Sequence, residues 1–540
     1  MKCFLARNRW RSAAGSALVS VTLLLSACSS GTGGGSSAAD ASTSAATLTA
    51  MVDDTAPASP QGTLRIAHWL EALAMDPARA TTHQAYLLMP AYDTLLDIDS
   101  QFQPKPRLAT AWEQTDPQTY RLTLRDDVTF QDGSKFDAEN VKLNLERDKT
   151  VAGAPNANMF EPIESVTVES PTVAVVHTNR PYPNFLYNMS TIAGAMVSSE
   201  AIRNNADLTR ETAGSGGWIW DKAAHQEGSK HVYHANPNYW NKDAVRVENI
   251  EFQIITDDAA RLNAIQSGQI DLATNIPPDQ VPSLAGTGLN VLSDYTITSA
   301  LEIFDRGGAK VPAFGDPNVR KAVGLLIDRT GYNQSVYGGQ GDGTVGGFAS
   351  PATHWYDPAL DARTSNVDEA KKLLADAGYA NGFGFDLPST AAIRTRTAAI
   401  AQMLAVGGIT ANIVDMQSTE YTAAIRRGDV AAGYVSPTSV DIDQWWGRTV
   451  SNNGPFNPFK LNDLADLEAE YTRSASMTNP QDRKAILDNL QQATIDRGVL
   501  FPLSQQPRVS IASANLRSTE VPVFAPEDWG PRPQNLWVQK

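Results

Sequence analysis

The sequence predicts a mixed α/β (α+β) protein built from more than one lobe, on three observations. Its 540 residues exceed what one hydrophobic core spans, because cores stop growing at about 250–300 residues. Residues 120–145 read as strand, turn, strand, turn and helix in quick succession. From Asn366 onward the chain alternates helix and strand through a βαβαβ unit, the pattern of a wound α/β sheet.

Taken in order, the chain starts with Lys2, Arg7, Arg9 and Arg11 ahead of an apolar run, Ala13 to Leu25. That run is shorter than the roughly 20 apolar residues a membrane helix needs, and it reads as a signal segment. It ends in Leu25-Ser26-Ala27-Cys28, which resembles a bacterial lipobox. The resemblance implies removal of residues 1–27 and a diacylglyceryl group on Cys28. The alternative is an ordinary signal peptide cut after Ala27, with Cys28 left as a free thiol. Loss of the four positive charges would take the net charge from −15 to −19. Residues 28–60 are rich in Ser, Gly, Ala and Thr and poor in large apolar side chains, so they read as a flexible tether.

Thr63 to His68 alternates as a first strand and leads to Met75-Asp76-Pro77, and a helix is expected over Ala85–Leu96. Tyr120, Leu122 and Leu124 then alternate with Arg121, Thr123 and Arg125, the period of a half-buried strand. Asp126-Asp127 turns the chain, Val128 to Phe130 returns it, and Asp132-Gly133-Ser134 turns it again. Asp137 stands at an N-cap, with Ala138, Val141 and Leu145 on one helical face. Strands follow near Ser165–Thr178. Phe252 to Ile255 is a buried strand, Ala259 to Ser267 a helix closed by Gly268, and Ile270 to Leu272 re-enters a sheet. Asp316-Pro317 opens a helix whose buried stripe is Val319, Ala322, Val323 and Leu326. In the βαβαβ unit, helices cover 367–377, 393–404 and 419–427, and strands cover 384–387, 411–415 and 430–435. Asn479-Pro480 opens a long helix to Arg497, after which Val499 to Leu503 crosses back toward the first lobe.

Residues 108–147 resemble, in order, spacing and residue type, the signature segment of family 5 extracellular solute-binding proteins, the oligopeptide, dipeptide and nickel receptors of ABC importers. Residues 214–218, 236–240, 260–273 and 316–329 fit the same pattern. The resemblance implies a periplasmic-binding-protein-like two-lobed clamp with a small inserted third lobe. The large lobe would comprise 61–100, 215–300 and 505–540, the small lobe 101–214 and the opposing α/β lobe 301–504, with hinge crossings near 300 and 504. It further implies a monomeric receptor, held by Cys28 on the extracytoplasmic face of the cell membrane. Such a receptor captures a peptide or related amine-bearing solute in an interlobe cleft and delivers it to an ABC permease. No cofactor is implied.

Ligands of a wound α/β sheet sit beyond the carboxyl ends of its strands. The strand ending at Val435 is followed by a loop with Asp441, Asp443, Trp445 and Trp446. Two carboxylates and two tryptophans there suit a site that holds an amine by charge and an apolar body by stacking. The loop resembles the family's Asp-Pro-Asp-Asn-Phe cleft loop. The family's peptide binders carry a further aspartate a few residues earlier, where this chain has Pro437 or Thr438, and that departure weakens a simple peptide assignment. The structural alternative is that Asp441 caps a helix holding Trp445 in the core. Tyr434, His68 and Trp69 stand at strand ends, where cleft and core both remain open.

Other classes find little support. With 44 basic and 59 acidic residues, and no basic run after the N-terminus, nothing marks a nucleic-acid binder. The only cysteines are Cys3 and Cys28, so the folded body has no disulfide and no cysteine metal site. Gly341, Gly343 and Gly346 form a GxGxxG that follows a helix instead of a strand, which reads as a mobile loop and not a dinucleotide site. His231 and His234 fall on opposite faces of a strand and are expected to be solvated. A bare nickel ion would need a His or Cys cluster. There is no GxSxG, HExxH or Walker A motif, which argues against an enzyme. A hydrolase working through Asp441 and Asp443 is a remote alternative, and a transport-inactive sensor or scaffold of the same fold a nearer one.

Overall fold

The structure, a computed structural model, describes residues 49–540 apart from 82, 452–453, 523 and 525–529. The signal segment, Cys28 and the start of the expected tether lie outside the described residues. The tether's last part is not free chain. Met51 is buried against the first core, Val52 bridges to Ser518, and the Asp53 amide donates to the Ser518 carbonyl at 2.9 Å. One apolar side chain was enough to anchor a stretch whose composition reads as linker.

An eight-stranded sheet organises the chain. Its strands run in the order 432–435, 290–303, 500–512, 272–273, 63–68, 249–254, 230–235, 218–220. Thr63–His68 lies parallel to both neighbours, while every other pairing is antiparallel. Asn290–Ile303 and Leu500–Ala512 are the long members. Their ladder runs from Asn290↔Ala512 to Glu302↔Leu500, with register breaks between Asp294 and Ile297 and between Ser299 and Ala300. Bulges of this kind bend a strand pair locally without ending it.

A four-stranded antiparallel sheet, in the order 109–116, 119–124, 173–178, 163–170, forms a second layer with helix Ala138–Asp148. Asp137 caps that helix by accepting from the Asn140 amide at 2.9 Å. Tyr120, Leu122, Leu124, Val141 and Leu145 share one core beneath it. Burying each of these side chains is worth about 1.5–3 kcal/mol. A third core gathers Val319, Leu374, Leu387, Ile400 and Ile409 around a parallel strand pair, Phe383–Ser389 and Ile409–Asp415. Helices Val367–Asp376, Arg394–Ala405 and Ser418–Arg427 accompany this pair.

Several expectations need correction. The expected helix over Ala85–Leu96 is only Ala85–Leu88, and the chain is a strand by Leu96; Pro90 removes an amide that a longer helix would need. Val128–Phe130 is reduced to one bridge, Thr129↔Lys135. The third strand of the βαβαβ unit, Ala432–Val435, joins the open edge of Asn290–Ile303 instead of the parallel pair. The 338–346 loop is pinned, since Asp342 and Gln505 exchange backbone bonds at 3.0 and 2.8 Å.

The first two layers are joined by Asp93, which is fully buried. Its carboxylate accepts from Arg107 at 2.7 Å, Ser215 at 2.8 Å, Tyr239 at 2.9 Å and Trp240 at 3.0 Å. Removing Asp93 leaves the buried Arg107 with only Asp97 at 3.5 Å and strands three further donors. Asp93→Ala should therefore cost about 3–5 kcal/mol, read as a lower chemical-denaturation midpoint for the transition that unfolds these layers. Glu113→Ala, on the exposed face, should stay within about 0.5 kcal/mol.

Candidate functional site

The loop after Val435 is stitched to the long strands before it reaches its acidic residues. Thr298 donates its amide to the Pro437 carbonyl at 3.0 Å, Ser439 donates to Thr296 at 2.9 Å, and Ser350 donates to Ser439 at 2.9 Å. The following residues form a short helix, Ile442–Trp445, with a π-type turn over Trp446–Val450.

Asp441 caps that helix, accepting from the amides of Asp443 at 3.0 Å and Gln444 at 3.1 Å. Its other oxygen accepts from Asn184 Nδ2 at 3.3 Å. Burial, and secondly the neighbouring charge of Asp443, push its pKa up to about 7. Asp443 is buried in an ion pair with Arg483. Both carboxylates are thus committed within the protein. Trp445 stacks on Phe348 with ring centroids 4.3 Å apart, and Trp446 stacks on Tyr471 at 5.2 Å while donating Nε1–H to Glu468 at 3.1 Å. Both tryptophans are 1% exposed. The expected amine clamp is corrected accordingly: the capping alternative describes Asp441, and the two rings fill a core.

Tyr434 is also buried. Its hydroxyl shares a hydrogen bond with Ser299 at 3.0 Å, and Arg396 lies over its ring at 5.8 Å. His68 is fully buried, bonded through Nδ1 to Thr274 at 2.9 Å, and burial lowers its pKa to about 3. Trp69 is half-buried, edge-on to His83 at 5.9 Å. The structure therefore brings Tyr434 and the four loop residues into one region and leaves His68 and Trp69 at a different strand end. His231 and His234 do face opposite sides, but only His234 is exposed; His231 is buried against Glu71. Among the described residues, no group of three or more His, Cys, Asp or Glu side chains is placed to hold a metal ion.

Sequence reasoning missed the contacts across from the loop. Val440 packs with Ile98, Phe102 and Tyr187. Gln103 bonds to His354, which flanks the same junction. No periodicity marks such partners, because they come from segments more than 250 residues apart. Sequence reasoning also missed a cavity of about 280 Å³ beyond the carboxyl ends of strands 383–389, 409–415 and 432–435, lined by Thr390, Ser418, Tyr434, Ser436 and Arg448 among others. The strand-end rule locates it; Arg448 itself carries no sequence signal.

A wide sheet whose two longest strands continue into a second α/β core, with ligand-sized space at the strand ends of that core, defines the class: a two-lobed solute-binding clamp. The chain belongs to the bacterial extracellular solute-binding proteins of family 5, whose pattern matches residues 103–459. It is similar to the glutathione-binding protein GsiB of Salmonella paratyphi A, 25% identical over 451 residues that cover 79% of this chain and 85% of the relative. Among solved structures it is similar to HbpA2 from Haemophilus parasuis, with a TM-score of 0.77 at 20% identity over 89% of this chain and all of the other. It also matches the binding protein DppA from Helicobacter pylori in complex with a peptide, with a TM-score of 0.69 at 20% identity over 89% of this chain and 99% of the other. The protein is a solute-binding receptor of an ABC importer, and proteins of this family work outside the cytoplasm.

Two measurements check the packing of the loop. Trp446→Ala should cost about 3–5 kcal/mol of stability, as for other buried aromatics, and so should lower the melting temperature of the ligand-free protein. Asp441 has a folded pKa raised above its unfolded value, so its stabilising share is full at low pH and is lost as pH rises from about 4 through 7. Asp441→Asn should flatten that decline in a stability-against-pH series.

Proposed function

We propose that the chain is a lipid-anchored receptor in which the lobe formed by 301–504 closes against the other two around a solute. The observation that carries this reading is the junction at the 436–441 loop. There Asn184 meets Asp441, Gln103 meets His354, and Ile98, Phe102 and Tyr187 pack on Val440. Contacts between segments so distant in sequence are what a closed clamp requires. The long paired strands 290–303 and 500–512, broken in register at two places, supply connections that could bend. A ligand that touches both sides stabilises the closed form in proportion to its differential affinity for it.

The solute is a peptide or a related small compound, a reading supported by two relatives, one a glutathione-binding protein and one solved with a peptide. Neither aspartate of the loop is free to hold an amine, so recognition by charge falls to other residues. The closed receptor docks as a monomer on its permease, with Cys28 carrying the lipid that keeps it at the membrane.

The test is small-angle scattering with thermal unfolding on the mature protein, before and after adding the solutes that co-purify with it, identified by mass spectrometry. The radius of gyration should fall, and at a hundredfold excess over Kd the protein should gain about 2.7 kcal/mol. Stabilisation without compaction would point to a rigid binder instead of a clamp. Cys28→Ser should move the protein from the membrane to the soluble fraction in the expressing bacterium, with loss of metabolic lipid labelling.

A further inference from the structure

We propose that the cavity at the strand ends of residues 390–456 binds the anionic end of a compact organic carboxylate, through Arg448 and beside the ring of Phe456. This names the solute class of the receptor described above and rests on that reading for its physiological role.

The cavity measures about 280 Å³, just below the usual range for small-molecule sites, which suits a compact ligand. Its walls are mainly apolar and aromatic, with Ile393, Ile425, Tyr434 and Phe456, and with hydroxyls from Ser418 and Thr422. Among the described residues, no aspartate or glutamate lines it, and Arg448 is its one charged residue. Arg448 is exposed, sits in the π-type turn Trp446–Val450 and places its guanidinium 4.7 Å from the Phe456 ring centre. Arg426 lies 5.7 Å from the same ring centre. Among the described residues, neither guanidinium makes an ion pair with a carboxylate, although most other arginines here do.

Two unneutralised guanidinium groups around one phenyl ring are out of place in a protein of net charge −15. Each repels the other, and partial burial of the guanidinium, then the charge of Arg426, lowers the pKa of Arg448. The acid that acts on Arg448 is Glu302, fully buried on Asn290–Ile303, and burial raises its pKa well above the ordinary range. The site therefore keeps a fork of donors without an anion, next to apolar surface. A carboxylate answers the fork in bidentate geometry, and an apolar or aromatic body answers the walls. An ammonium group would meet repulsion and no acceptor charge.

The experiment uses the full mature protein, with 3-phenylpropionate as probe and 3-phenylpropylamine as its matched cation. Thermal shift and isothermal titration should register the carboxylate and not the amine. Arg448→Gln should weaken the carboxylate at least about tenfold, the scale of one lost charge-assisted bond. Arg448→Lys should recover part of the loss, and neither Arg448 variant should change the unliganded melting temperature appreciably, because the side chain is exposed. Equal binding of amine and carboxylate, or undiminished binding by Arg448→Gln, overturns the assignment, as does the absence of binding by either probe. The two readings fail separately. Compaction driven by a cationic solute and unaffected by Arg448→Gln keeps the receptor and ends this site. Carboxylate binding that is lost in Arg448→Gln, but never compacts the protein, keeps the site and ends the clamp.

Discussion

The backbone ladder between Asn290–Ile303 and Leu500–Ala512 is the constraint on which the rest of the structure depends. It lies beside the 272–273 strand at one end and the 432–435 strand at the other. Leu292 and Ala512 therefore belong to the first core, while Leu301, Phe501 and Leu503 belong to the third. A ladder of this kind resists sliding, because a one-residue slip would turn every inward side chain outward. Bending is a different matter. It concentrates where the register breaks, near Asp294–Ile297 and Ser299–Ala300. The buried pair of Arg508 with Asp294, and the bonds of Thr298 to Phe348 and Gln505, fix side chains on either side of those breaks.

The 436–446 loop shows how a polar segment is stabilised at such a crossing. Its first half is held by backbone bonds to Thr296 and Thr298. Its second half uses its acids internally, one as a helix cap and one as the partner of Arg483. Removing two carboxylates from water is costly, and the arrangement limits the cost in two ways. One acid is shifted toward its neutral form, and the other is matched by a guanidinium. Charge recognition is consequently displaced to the neighbouring turn, where Arg448 stands without a carboxylate.

Much of this was legible in the sequence, and what was not has physical causes. The period-2 and period-3.6 patterns located the strand at 119–124, the helix at 138–148 and the helices flanking the parallel pair, because those elements bury one face against a neighbouring layer. The Asn479 and Asp316 caps were legible because Pro at the first helical position leaves few alternatives. Which sheet Ala432–Val435 would join was not legible, since a short apolar strand suits either edge. The loop residues were found, but not their direction. Aspartate immediately before a helix can cap or coordinate, and tryptophan can stack on a ligand or on Phe348, with the same local sequence. The decision was made by Arg483, Tyr471 and Glu468, which lie 22 or more positions further along the chain and announce nothing by spacing.

The weakness of the cross-junction contacts is itself informative. Asn184 to Asp441 is a single hydrogen bond at 3.3 Å, worth about 0.5–1.5 kcal/mol net. The Gln103 to His354 bond is of the same order, and the apolar cluster around Val440 has three buried members. In the clamp proposed above, so few contacts across the junction leave a ligand that touches both sides a large share in holding it closed. A modest ligand can shift a balanced equilibrium, whereas a large preformed interface would hold the lobes together whether or not anything had bound between them.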